Sequence, residues 1–111
     1  MKAAKELYDN IGDAMEGAHK GKMFGAECLK AENGKALAFF YHGDMVFKLT
    51  GDAYNEAMAY DGAHLFNPMG NRPMGGWVQL PYDYADQWSF FVEQAFAYVS
   101  SLPANSKKKK K

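Results

Sequence analysis

Apolar residues recur every three or four positions at the two ends of this chain, and they cluster or alternate in its middle. Ala4, Leu7, Tyr8, Ile11, Met15 and Ala18 form one stripe, with Lys5, Glu6, Asp9, Asp13 and Glu16 on the opposite side. That period predicts an amphipathic helix. Gly12 within it costs about 1 kcal/mol relative to alanine, so the helix depends on docking. Gly17 and Gly21 bracket its exit. Lys22 to Lys30, Lys35 to Tyr41 and Met45 to Leu49 then read as three strands. Asn33-Gly34 is a strong hairpin signal, because both residues tolerate positive φ. Tyr41-His42-Gly43-Asp44 is a second turn, and such short connections predict antiparallel neighbours. Ala36 to Tyr41 does not alternate cleanly. Either both faces of the sheet are covered, or one is covered only in an oligomer.

A short helix follows, capped by Thr50 or Asp52 and running to about Ala59. Asp61-Gly62 ends it. His64 to Asn67 and Trp77 to Leu80 are two further short strands, stopped by Pro68 and Pro81. Between them lies a loop rich in Gly, Pro and Asn. Asp83 is the expected N-cap of the last helix. Its stripe is Tyr84, Trp88, Phe91, Val92, Ala95, Phe96 and Val99, with Phe90 and Tyr98 outside it, and Pro103 ends it. The expected fold is α+β: two layers, an antiparallel sheet of about five strands, and helices at both ends packed on it.

Composition narrows the class. At 111 residues and 48% hydrophobic, the chain suits one domain with a real core. No apolar run approaches the ~18–20 residues of a membrane span. The single cysteine, Cys28, cannot form an internal disulfide, which favours a cytoplasmic setting. The chain balances 13 basic against 13 acidic residues, but Lys107 to Lys111 supplies five of the basic ones, so the remainder stands at −5. An acidic body repels nucleic acid. Any nucleic-acid affinity is therefore expected to be weak and to reside in that lysine tail.

The chemistry-bearing residues are sparse. His19, His42 and His64 are isolated, without the spacing that gathers ligands around zinc, so no metal or other cofactor is expected. Cys28 alternates with Glu27 and reads as a packed residue, because a nucleophilic thiolate needs a neighbouring base. Met69 to Gly76 could offer backbone N–H groups to an anion. It lacks the following helix and the Gly-Lys-Ser/Thr of a phosphate loop, so it reads as a strand connection or a partner-binding loop. Phe39-Phe40-Tyr41 has Lys35 and Lys48 nearby in sequence, but also Asp44, and it lacks the RNP-type strand pattern with flanking Arg/Lys of a nucleic-acid stacking surface.

Four strings in order carry a family resemblance. They are Met23-Phe24-Gly25, Val46-Phe47-Lys48-Leu49, Gly62 to Gly70 (Gly-Ala-His-Leu-Phe-Asn-Pro-Met-Gly) and Met74 to Pro81 (Met-Gly-Gly-Trp-Val-Gln-Leu-Pro). Together they resemble the N-terminal domain of the TfoX/Sxy family, bacterial proteins linked to DNA-transformation competence. The resemblance implies a TfoX N-terminal-like domain over residues 1–103, and the lysine run beyond Pro103 is expected to make 104–111 a flexible tail. The resemblance also implies a stand-alone, non-enzymatic regulatory domain acting through protein–protein contacts, and it brings no catalytic residues. A homodimer is expected, because a domain this small has little core volume for its aromatic residues. The alternative is a small-ligand or nucleic-acid binding module. The candidate contact residues for either are Phe24, Lys48, Arg72, Met74 and Trp77.

Overall fold

The computed structural model describes residues 2–23, 26–67 and 75–102. In chain order its elements are α1 (Lys2–Ala14), β1 (His19–Met23), β2 (Ala26–Lys30), β3 (Ala36–Tyr41), β4 (Asp44–Lys48), α2 (Gly51–Met58), β5 (His64–Leu65) and β6 (Trp77–Leu80). A 3₁₀ turn (Tyr82–Gln87) then leads into α3 (Trp88–Ser100). The strands form one sheet in the order β1-β2-β3-β4-β6-β5, and every pairing is antiparallel. The expected α+β class holds, with six strands where the pattern predicts about five.

The added strand is β1. The stretch from Lys22 to Lys30 reads as one strand but is two, folded back so that Met23 pairs with Ala26. Its sequence, His-Lys-Gly-Lys-Met, has no apolar alternation to betray it. It lies at the sheet edge, where lysines are favoured because they discourage pairing with other chains. Phe24 lies outside the described residues.

The three helices share one face of the sheet. Ala4 and Tyr8 of α1, Ala57 of α2, and Trp88, Phe91, Val92, Ala95 and Val99 of α3 pack there with Leu29, Met45, Phe47, Val78 and Leu80 of the strands. α1 ends at Ala14, short of its stripe, and Met15 and Ala18 form a turn beyond it. Gly12 has a packing reason: a Cβ there would meet Leu29 Cδ2 at 2.9 Å, so glycine lets α1 lie close on β2. Lys5 bonds Asp9 at 3.1 Å and Glu27 at 3.0 Å, and Lys20 bonds Asp13 at 2.8 Å. These pairs stitch α1 to β1 and β2 at the rim, where each is worth little alone.

α3 begins four residues later than expected, with Gln87 and not Asp83 at its N-cap. Asp83 lies in the 3₁₀ turn and does not cap α3. Tyr84 breaks the helical geometry at φ −111° and ψ 29°, while its hydroxyl donates to Asp61 O at 2.6 Å. Asp44 anchors the turn's start, accepting from Tyr82 N–H at 3.3 Å and from Gln79 Nε2 at 2.8 Å. At the other end of α3, Asn33 Nδ2 donates to Val99 O at 2.8 Å and Leu102 O at 3.0 Å. The Asn33-Gly34 turn is therefore not the two-residue form. Gly34 N–H bonds Ala31 O, only Gly34 has positive φ, and the Asn33 side chain is free to cap a helix 66 residues away. His42 and Gly43, at φ 50° and 88°, do form the two-residue turn between β3 and β4.

The irregular β3 pattern has a structural cause. Ala38 pairs with Leu29 and Ala36 with Lys30, which leaves Leu37 as an extra residue on β3. That bulge sends both Leu37 and Ala38 to the helical face. Phe39 faces the other way, into a second cluster with Cys28, Val46, Phe66 and Trp77. Phe66 follows β5, three strand spacings from β3, or roughly 14 Å in a flat sheet. Its ring nonetheless lies 4.7 Å from that of Phe39. The sheet therefore curls over this face and buries it within one chain. Among the described residues Phe90 is the one large apolar side chain left exposed, at 41%.

Tyr8 is fully buried, and its hydroxyl has no hydrogen-bond partner among the described residues. Burial pushes its pKa upward from 10.0, with smaller contributions from Cys28, Glu27 and Asp9. A phenol raised in the fold contributes stability that is intact below pH 10 and lost as pH climbs above it. Tyr8→Phe removes a hydroxyl that has no partner among the described residues and keeps the ring on Phe40. It is expected to hold or raise stability at pH 7 and to flatten the loss above pH 10, as measured by urea unfolding across pH.

Candidate functional site

Two of the five expected contact residues lie together. Lys48 ends β4, Trp77 begins β6, and the two are cross-strand partners. The Lys48 ammonium sits 5.3 Å from the centroid of the Trp77 ring, a cation–π contact. Among the described residues Lys48 has no carboxylate partner. Trp77 is 8% exposed and rests on Phe39, with ring centroids 5.3 Å apart. Phe24, Arg72 and Met74 lie outside the described residues.

Gly76 shapes this corner. Its φ is +83°, and its carbonyl accepts from Leu49 N–H at 2.9 Å. A Cβ there would meet Lys48 Nζ at 3.3 Å. The glycine before the tryptophan thus turns the chain into β6 and leaves room for the ammonium.

Lys48 and Trp77 form one wall of a cleft of about 390 Å³. Lys35 and Ala36, at the start of β3, form a second wall. Tyr98, Val99 and Leu102, at the end of α3, close it. The Asn33 cap holds these walls together, since it joins the β2–β3 turn to Val99 and Leu102. Lys35, Tyr98 and Leu102 escape the sequence reading. Two left a signal, Lys35 as a basic residue near Phe39-Phe40-Tyr41 and Tyr98 as an aromatic outside the helical stripe.

The remaining candidates stand apart. Cys28 is fully buried, on the opposite face from Glu27, and burial pushes its thiol pKa up against a smaller lowering by Lys30. It is a packed thiol. His19, His42 and His64 are exposed and lie on separate elements. His42 packs against Tyr41, and His64 Nδ1 lies 3.1 Å from Gly62 O. Among the described residues no three His, Cys, Asp or Glu side chains gather as a metal site. A second concavity, also about 390 Å³, is lined by Lys5, Lys22, Glu27, Tyr41 and His42. Its Lys5 is already held by Glu27 and Asp9. Among the described residues no helix is long and apolar enough to cross a membrane.

Comparison with known proteins finds no matching family model, no matching curated protein and no matching solved structure.

Gly76→Ala is expected to cost about 1–2 kcal/mol, from the positive φ alone. It should also displace the Lys48 side chain. Chemical denaturation reads the first effect. The second appears as a shift of the Trp77 indole resonance, with the Trp88 indole as the internal control.

Proposed function

We propose that this chain is a non-catalytic regulatory domain that works by holding another protein, as its resemblance to the TfoX N-terminal domain implies. The observation that carries the reading is the Lys48–Trp77 corner. A lysine ammonium, poised on a tryptophan at the mouth of a cleft, serves recognition by charge and apolar contact. Cys28, the single thiol, is fully buried and held toward its protonated form. The domain acts in the bacterial cytoplasm. Nucleic-acid affinity, where present, belongs to Lys107 to Lys111 and not to the acidic body.

Affinity capture from the native host tests this reading. The immobilised chain and its Lys48→Glu variant are compared by mass spectrometry. A partner held by the first and lost by the second is the expected result. Capture unaffected by the variant would remove the cleft from the reading.

We further propose a homodimer. The curl of the sheet over Phe39 and Trp77 hides most aromatic residues within one chain. What remains is Phe90 on the outer side of α3. Light scattering on eluted protein is expected to give twice the chain mass at micromolar concentration, and Phe90→Ser to shift it toward monomer. A single-chain mass throughout would refute the dimer.

The second reading, a small-ligand module, is favoured by the size and mixed charged and apolar lining of this open cleft. Four segments of chain wall it, and its volume lies at the small end of the range for small-molecule pockets, about 300–1,000 Å³.

A further inference from the structure

We infer that the cleft between the end of α3 and the start of β6 binds a small amphiphilic anion: a carboxylate carried on an apolar body. This inference rests on the second reading above. It does not require a protein partner.

The lining divides by chemistry. Among the described residues Lys35 and Lys48 are its charged side chains, and no acidic residue lines it. Trp77, Tyr98, Val99 and Leu102 supply an apolar wall. A ligand matched to both needs a negative head and a hydrophobic body. Lysine ammoniums are point charges, so they accept a carboxylate without imposing the planar fork that arginine would. The volume, about 390 Å³, suits one small molecule and not a folded segment.

Two features prepare the site. Trp77 already holds the Lys48 ammonium over its ring, so part of the side-chain ordering that binding requires is in place beforehand. The negative end of α3 is the feature that would oppose an anion. Two of its last carbonyls are engaged: Asn33 Nδ2 donates to Val99 O at 2.8 Å and Ser101 Oγ donates to Tyr98 O at 2.6 Å, and Asn33 Nδ2 also reaches Leu102 O just beyond the helix. The lysines thus meet the ligand with part of the helix terminus already bonded.

The test is titration of the full chain with octanoate, followed through the two tryptophan indole N–H resonances. Trp77 lines the cleft and Trp88 is fully buried under the helices, so Trp88 serves as control. Octanoate is expected to shift Trp77 saturably and leave Trp88 unmoved. Octan-1-ol, which lacks the head, and acetate, which lacks the body, are each expected to bind at least tenfold more weakly. Lys48→Met should weaken octanoate at least tenfold, while Lys48→Arg should keep most of the affinity, with thermal melts establishing that each variant is folded. Absence of a saturable Trp77 shift overturns the inference. So does octan-1-ol binding as tightly as octanoate, a comparison that decides the matter even should Lys48→Met fail to fold. A protein captured through Lys48 by a chain that ignores octanoate would also overturn it, and would leave the interaction reading standing.

Discussion

β3 has to serve two cores at once. Leu37 and Ala38 belong to the helical side and Phe39 to the other, and all three are fully buried. A regular strand cannot send adjacent residues to one face, since its side chains alternate. The bulge at Leu37 resolves the conflict by inserting one residue, and bulges increase local bending and twist. The curl that brings Phe66 and Trp77 onto Phe39 therefore has a local counterpart in the middle strand. Without closure of that face, a cluster of aromatic rings would stand in water. With it, a chain of 111 residues hides apolar side chains on both sides of a single sheet.

The same geometry brings the cleft together. The β2–β3 turn projects beyond the sheet, and Asn33 fastens it to the last turn of α3. Lys35 and Ala36 follow directly and are carried to Tyr98 and Val99. From the other side, Gly76 delivers the chain into β6 so that Trp77 faces the second core and Lys48 lies across its ring. The cleft is thus a by-product of two anchoring events, each explained by residues that hold the fold. This is why its members are scattered through the sequence, from the third strand to the last helix.

The helices and the central strands were readable from periodicity because each buries one continuous stripe or run. The residues of α3 that pack inward are those its spacing selected, and Phe90 falls outside that stripe and is exposed. β1 was not readable, since an edge strand of His, Lys and Gly buries little and carries no period. The start of α3 was misplaced at Asp83 because a capping residue is a local signal, whereas Tyr84 is held by Asp61, 23 positions upstream. Of the candidate site, Lys48 and Trp77 were legible from the strings around them, while Lys35 and Tyr98 were not. Their proximity depends on a side-chain bond spanning 66 residues, and no local pattern encodes that.

That bond also decides how the lysines are to be understood. Basic residues near a helix C-terminus commonly offset its partial negative charge, and α3 carries none in its own last turn. On that ground alone Lys35 and Lys48 could be seen as compensation for the helix. Asn33 argues otherwise. Its two N–H groups take the carbonyls of Val99 and Leu102, and Ser101 takes that of Tyr98. A terminus whose carbonyls are bonded has less need of an external cation. Lys48 is directed at an aromatic face and not at those oxygens. Lys48 therefore places a positive charge on the wall of the cleft, in a body that stands at −5 apart from its lysine tail.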